Sequence, residues 1–135
     1  MDRKQTAWQL FANADWAGAR DAFTAALDED AGDPEALDGL GQSLWWLGER
    51  DAAIDRRREA YAAYQRSGDP RNAGRLATYL AGEHRIDGKH AAAAGWLARA
   101  RRLLAGAGTV PEVGWLAIED AKRSDDPADA EHHAR

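Results

Sequence analysis

The sequence has 135 residues, no cysteine and a formal net charge of -5 at pH 7, which suits one domain that folds without disulfides or thiolate-bound metals. Basic and acidic residues are interleaved, so we expect no strongly positive surface and no nucleic-acid binding by this chain. The sequence shows neither a signal peptide nor eighteen consecutive apolar residues, which predicts a cytoplasmic protein that does not enter a membrane.

Apolar residues recur every three or four positions along the sequence, and β-branched residues are few. This pattern predicts an all-α chain. Turn-forming clusters divide it into three helical hairpins and a last helix. The predicted spans are 4–13 with 15–29, 34–47 with 49–67, 70–83 with 88–105, and about 111–123. We expect a repeat domain over 1–123 and a polar, disordered tail over 124–135.

Two Asp-Pro pairs, Asp33-Pro34 and Asp69-Pro70, lie 36 residues apart. In each pair the Asp suits the N-cap and the Pro suits the first helical position. A fixed period of this length predicts an array of helical hairpins, each of which buries its apolar face against its neighbours.

Small and large apolar residues alternate within these hairpins at recurring positions. They are Leu37, Leu40-Gly41, Leu44, Ala53 and Ala60 in the second hairpin, Ala19, Phe23 and Ala26 in the first, and Leu76-Ala77, Leu80, Ala93, Leu97 and Ala100 in the third. The pattern resembles the tetratricopeptide repeat, although Arg57 replaces an aromatic residue and the third hairpin carries about four extra residues in its turn. The resemblance implies an all-α, right-handed stack of about three hairpins with a C-terminal capping helix.

A narrower resemblance covers "GLGQSLWWLGERDAAI" and the segment after it, which looks like the tetratricopeptide segment of bacterial LuxR-type transcriptional regulators. This chain contains neither a helix-turn-helix nor a Walker loop. A regulatory role would therefore belong to a longer protein or to a stand-alone relative.

Two adjacent tryptophans end the third predicted helix. On a helical wheel the leucines cluster on one side, Trp46 points away with Glu35, Asp38 and Gln42, and Trp45 lies between. Trp45 is therefore predicted in the core and Trp46 in a concave groove, as is Trp8 at the matching turn of the first hairpin. The alternative for Trp8 and Trp46 is packing between hairpins. Trp16, Trp96 and Trp115 are predicted to be core or cap residues.

Tetratricopeptide domains of chaperone partners grip a terminal carboxylate with five polar side chains, and the resemblance puts Lys4, Arg71 and Arg75 at three of these positions. Trp8 and Gly39 stand where Asn is expected, so a solvated basic face is the alternative. The predicted partner-binding groove comprises Lys4, Trp8, Glu35, Gln42, Trp46, Arg71 and Arg75. Its partner would be a protein or peptide with an acidic or C-terminal segment.

No catalytic constellation, cofactor site or metal site is expected. His84 and His90 are placed in the third turn, which is interpreted as solvated and lacks a zinc spacing, and His132 and His133 lie in the tail. The "RRRE" run at 56–59 is interpreted as a solvated face. The sequence thus predicts a non-enzymatic protein-interaction module. The alternatives are a regulatory domain of a LuxR-type regulator and a structural homo-oligomerisation unit.

Overall fold

The computed structural model describes residues 2–105, 116–119 and 122, and this part of the chain contains helices and no strand. Residues 116–119 and 122 are also helical, inside the predicted last helix. The all-α hairpin architecture is confirmed, whereas the predicted tail lies outside the described residues. The six complete helices are α1 (Arg3–Ala12), α2 (Trp16–Glu29), α3 (Pro34–Trp46), α4 (Arg50–Arg66), α5 (Pro70–Ile86) and α6 (His90–Leu104).

The chain forms two compact units, Met1–Ser67 and Gly68–Arg135. In the first unit α1 packs on α2, α2 on α3 and α3 on α4. In the second unit α5 packs on α6. Each predicted hairpin therefore exists as a packed pair of helices, while a single repeat domain over 1–123 stays a prediction.

Aspartates are the N-caps of four of the six complete helices, and the sequence predicted this at the two Asp-Pro pairs. The Asp33 carboxylate accepts a hydrogen bond from the backbone N–H of Glu35 at 3.0 Å, and Asp69 accepts one from Asn72 at 3.1 Å. Proline is the first helical residue after both. Because these carboxylates satisfy N–H groups that lack a partner within the helix, the Asp-Pro pairs fix where α3 and α5 begin.

The turn inside each hairpin has one repeated geometry. Its middle residue has a left-handed backbone, with φ of 62° at Ala14, 81° at Gly48 and 76° at Gly88. The next N–H then reaches a carbonyl five residues back, as between Glu49 N and Leu44 O at 3.0 Å. This is the Schellman arrangement, which glycine adopts most readily. Ala14 adopts it without being glycine.

Small residues allow the helices of the first unit to cross closely. Ala7, Ala19 and Ala53 are fully buried. At Gly39 a Cβ atom would lie only 2.6 Å from Phe23 Cε2, and at Gly41 it would lie 3.2 Å from Arg57 Cγ. The tetratricopeptide-like small positions therefore do lie at helix contacts.

The "RRRE" run is only partly the solvated face that the sequence predicted. Arg56 pairs with Glu59 at 2.9 Å on the surface. Arg57, in contrast, is buried, because its methylene stem fills the space beside Gly41 where an aromatic ring stands in the repeat pattern.

The second unit corrects the predicted third turn. Both α3 and α5 begin at a proline, but α3 has 13 residues and α5 has 17. The four extra residues therefore lengthen α5 by about one helical turn and do not enlarge the loop. His84 consequently lies inside α5 and is buried, so its predicted place in a solvated turn is wrong. His90 is exposed and begins α6.

Candidate functional site

Three tryptophans form an exposed aromatic surface on the first unit, which we call the aromatic ledge: Trp16, Trp45 and Trp46. The Trp16 and Trp46 rings stack with their centroids 5.0 Å apart and their planes 12° apart. The Trp45 ring meets Trp46 edge to face at 5.1 Å and 86°. Trp45 is 40% exposed and Trp46 54%. Two indoles are thus held in defined orientations while much of their surface faces solvent.

The position of Trp45 differs from the prediction that it belongs to the core. Trp45 and Trp46 are the last two residues of α3. In this final turn Ser43 and Leu44 are the buried residues. Successive helical side chains point about 100° apart. Leu44 points into the core, and Trp45 therefore points away from it.

Trp16 is a second member of the ledge that the sequence did not predict, since it was expected to be a core or cap residue. It is half-buried and begins α2. The first residue of a helix lies beside the last turn of the antiparallel helix that follows it. A prediction that considered which helix ends lie together, instead of one helix at a time, would have placed Trp16 next to Trp46.

Trp8 does not belong to the ledge. Its half-buried ring packs edge to face on Phe23 at 4.8 Å and on Phe11 at 5.5 Å. Trp8 lies six residues before the left-handed Ala14, whereas Trp46 lies two residues before the left-handed Gly48. The two tryptophans therefore differ by about one helical turn, and the predicted equivalence of their positions is wrong.

Trp8, Lys4 and Glu35 are three predicted groove residues that the structure does bring together. Trp8 Nε1 donates to Glu35 Oε1 at 2.9 Å. Lys4 Nζ lies 3.0 Å from Asp33 Oδ2 and 3.4 Å from Glu35 Oε2. The hydrogen bond to Asp33 raises the pKa of Lys4; burial opposes this rise, and the negative charges of Asp33 and Glu35 add to it. A partner's carboxylate at Lys4 would therefore compete with two carboxylates already there.

Gln42 lies one turn before Trp46 and supports a buried acid. Its Nε2 atom donates to Asp38 Oδ1 at 3.0 Å, and the Tyr64 hydroxyl donates to Asp38 Oδ2 at 3.2 Å. Asp38 itself is buried, although the helical wheel placed it on the side away from the leucines. The Tyr64 bond joins α4 to α3, and the Gln42 bond within α3 holds the same carboxylate, so Gln42 has a structural role beside its predicted role at the surface.

Arg71 and Arg75 lie on α5 in the second unit. Arg71 is exposed. Arg75, predicted as a groove cation, is buried; its Nε and Nη2 atoms donate to Asn72 Oδ1 at 3.3 and 3.2 Å, and its guanidinium lies 5.8 Å from the Tyr79 ring centroid. The neighbouring turns of α5 thus hold this guanidinium. One groove that combines these arginines with Trp8 and Trp46 stays a prediction.

The described part of the chain holds no cluster of three or more His, Asp or Glu residues suited to a metal ion. Within the same residues, no helix combines the length and apolar character needed to cross a membrane.

The fold, but not the sequence, matches known proteins. No family model matches the sequence, and no curated protein matches it. Two solved structures of SycD, the type III secretion translocator chaperone of Yersinia enterocolitica, are similar to this chain. One has a TM-score of 0.71 at 20% identity over 90% of this chain and 83% of that chain. The other, an alternative dimer, has a TM-score of 0.70 at 21% identity over 90% and 91%.

These similarities establish a tetratricopeptide-like fold for the chain. They give no support to the predicted resemblance to LuxR-type regulators.

Proposed function

We propose that this chain is a protein-binding module whose aromatic ledge receives an apolar side chain of a peptide or partner protein. The observation that carries the proposal is the exposure of two adjacent tryptophans, Trp45 and Trp46, at the end of a helix. Tryptophan is among the residues that contribute most to protein interfaces, because a ring that loses water on binding gains a large apolar contact.

The geometry of the ledge favours binding for a second reason. The Trp46 ring stacks on Trp16 and contacts Trp45 edge to face. Both exposed indoles are therefore oriented before a partner binds. Side chains that are already ordered lose less conformational freedom on binding. Without a binding partner, an exposed indole would keep its apolar surface in water, which is unfavourable in free energy.

The similarity to SycD agrees with this role, since that protein is described as a translocator chaperone. We propose for this chain a chaperone-like or scaffolding contact in the cytoplasm, without enzymatic turnover. An apolar anchor at the ledge is its main determinant. An acidic segment of the partner would be a secondary feature, because Lys4 is already engaged by Asp33 and Glu35.

The test begins with a random twelve-residue peptide library displayed on phage and selected on the purified chain. We expect the selected peptides to carry a large apolar or aromatic residue. Calorimetry should show that Trp46→Ala weakens their binding about thirtyfold, or about 2 kcal/mol. Trp96→Ala is the matched control, because it removes an indole from α6, where Arg99 covers the ring at 4.4 Å; it should leave the affinity unchanged.

Two results would contradict the proposal. One is a folded Trp46→Ala variant that binds the selected peptides as tightly as the parent. The other is a parent that sediments as a dimer while Trp46→Ala sediments as a monomer, since this would assign the ledge to the homo-oligomerisation alternative.

A further inference from the structure

The surface of α6 carries basic residues without the acids that accompany them elsewhere in the chain. No Asp or Glu occurs between Asp87 and Glu112, a span that includes the whole of α6. The C-terminal half of this helix holds three exposed arginines: Arg99, Arg101 and Arg102. The interleaving of charges that is typical of most of the sequence therefore does not extend to α6.

Two of these arginines differ from other cations at the surface, which pair with nearby acids. Such pairs are Arg3 with Glu29 at 3.0 Å, Lys4 with Asp33 at 3.0 Å and Arg56 with Glu59 at 2.9 Å. No described carboxylate forms an ion pair with Arg99 or Arg102. The Arg99 guanidinium instead lies over the Trp96 ring, 4.4 Å from its centroid. A guanidinium held by its face keeps N–H groups at its edge for an acceptor.

The face of α6 that carries Arg102 is open. Gly95 lies two turns earlier on the same side of the helix, and a Cβ atom there would meet no atom within 4 Å. Ala91 and Ala98, the exposed neighbours of Gly95 on this face, are small. The buried residues lie on the opposite side: Ala93, Leu97, Ala100 and Leu104. A second helix can therefore approach this face closely enough to meet the arginine side chains.

The first unit holds a complementary row of acids on α4. Asp51, Asp55 and Glu59 are spaced four residues apart, so they lie along one side of the helix, and all three are exposed. Glu59 pairs with Arg56 at 2.9 Å. No described cation forms an ion pair with Asp51 or Asp55. Two free carboxylates on α4 are thus about one turn apart, as are the two free arginines on α6.

We propose that α6 of one copy of this chain binds α4 of a second copy. The two arginines of α6, Arg99 and Arg102, would meet the two free carboxylates of α4. The carboxylates are spaced about 6.0 Å along their helix and the arginines about 4.5 Å, and the long arginine side chains can accommodate this difference. The contact goes beyond the proposed function, because it joins two copies and leaves the aromatic ledge exposed.

The charges of the molecule favour a second copy as the occupant of this face. The chain as a whole has a net charge of -5, so a polyanion such as nucleic acid would be repelled beyond α6, and two arginines are few for a phosphate backbone. A second copy supplies carboxylates at a matching spacing on an exposed helix. It also neutralises charges that the single chain leaves unpaired.

The contact should be weak and sensitive to salt, because exposed ion pairs each contribute little. We expect sedimentation equilibrium of the intact chain to give a dissociation constant of about 0.1–0.5 mM in about 20 mM salt. Raising the salt to about 300 mM shortens the screening length to about 6 Å and should weaken the association about tenfold.

Exchange of the charges tests which helices meet. Arg99→Glu/Arg102→Glu and Asp51→Arg/Asp55→Arg change exposed side chains, so both double variants should keep the parent's helicity in circular dichroism. Each should be monomeric alone, because like charges would face each other across the contact. An equimolar mixture of the two should associate about as tightly as the parent. The single variants Arg102→Glu and Asp55→Arg give a second pair, in which each variant should associate more weakly than the parent and the mixture should recover.

Asp28→Arg/Asp30→Arg is the matched control. It makes the same change of charge at exposed positions of the first unit that do not belong to α4, so it should associate as the parent does. Both aspartate double variants make the chain less negative. Loss of association at Asp51 and Asp55 alone would therefore not come from repulsion between whole chains.

The outcomes separate this contact from the aromatic ledge. Trp46→Ala should associate as the parent does. A parent that stays monomeric at about 2 mM in low salt would overturn the contact and leave the proposed function intact, as would association that survives both charge exchanges and Trp46→Ala. Association that survives both exchanges but is lost in Trp46→Ala would overturn the contact together with the proposed function.

Discussion

Gly39→Ala should destabilise the first unit through a single added methyl group. A Cβ at this position would overlap the Phe23 ring, lying 2.6 Å from Cε2 and nearer to Cζ. Phe23 cannot easily move aside, because it is fully buried and the Trp8 ring packs against it at 4.8 Å. Overpacking of a well-filled core costs about 1–3 kcal/mol, and this site belongs at the upper end.

The methyl group also brings a gain, since alanine is favoured over glycine in a helix by about 1 kcal/mol. The net effect expected for Gly39→Ala is a loss of about 2 kcal/mol in the free energy of unfolding. For a chain of this length the melting temperature should fall by about 6–8 °C. Urea unfolding followed by circular dichroism at 222 nm measures both the midpoint and the slope.

Gly95→Ala is the matched control. Gly95 is also helical, but a Cβ there meets no atom within 4 Å. Only the propensity gain remains, so this variant should be more stable than the parent by about 0.5–1 kcal/mol. If Gly39→Ala were stabilised as much as Gly95→Ala, Phe23 would not lie against α3 and the α2–α3 packing described above would be wrong.

Three further predictions test the turn, the ion pairs and the ledge. Ala14→Gly should stabilise the chain by about 0.5–1 kcal/mol, because it removes an alanine from a left-handed backbone conformation, and Gly48→Ala should destabilise it by a similar amount. Equal unfolding midpoints for the parent and the two variants would contradict this. Lys4→Gln should cost less than about 1 kcal/mol. The pKa of Lys4 is raised in the folded state above its ordinary value of 10.5. The stability difference between the parent and Lys4→Gln should therefore be fully present below pH 10.5 and should vanish as the pH rises through the raised pKa. A difference that persists in strong alkali would refute the ion pairs. Trp46→Ala should cost at most about 1.5 kcal/mol, since the ring is half exposed and mainly loses its stack on Trp16; a loss of about 3–5 kcal/mol, typical of a core aromatic, would show that Trp46 is not a surface residue.

The helices and their starting points could be predicted from the sequence because local chemistry determines them. Asp33 and Asp69 cap their helices through bonds to residues two or three positions away. The turn at Gly48 requires a backbone that glycine favours. Neither feature depends on how distant helices pack, so periodicity and turn residues were sufficient.

The candidate site was harder to predict, because its geometry depends on contacts between helices. A wheel drawn for α3 alone does not reveal that Trp16 stacks on Trp46. Lys4 was predicted to be a groove cation, with a solvated basic face as the alternative, yet the start of α3 brings Asp33 and Glu35 to it. The burial of Arg75 could not be seen from its charge, since arginine is usually exposed.

The extra turn of α5 shows why a repeat can accept four residues inside a helix more easily than in its turn. Four residues rotate the helix by about 400°, which is only about 40° beyond a full turn, so the buried face stays nearly aligned. Additional residues between Asp87 and Lys89 would instead disrupt the left-handed geometry at Gly88 and the bond from Lys89 N to His84 O at 2.8 Å. The lengthened helix still ends as α3 does, with a large exposed apolar residue two positions before the turn glycine: Ile86 before Gly88, and Trp46 before Gly48. The insertion therefore kept the repeat's exposed apolar position at the end of the lengthened helix.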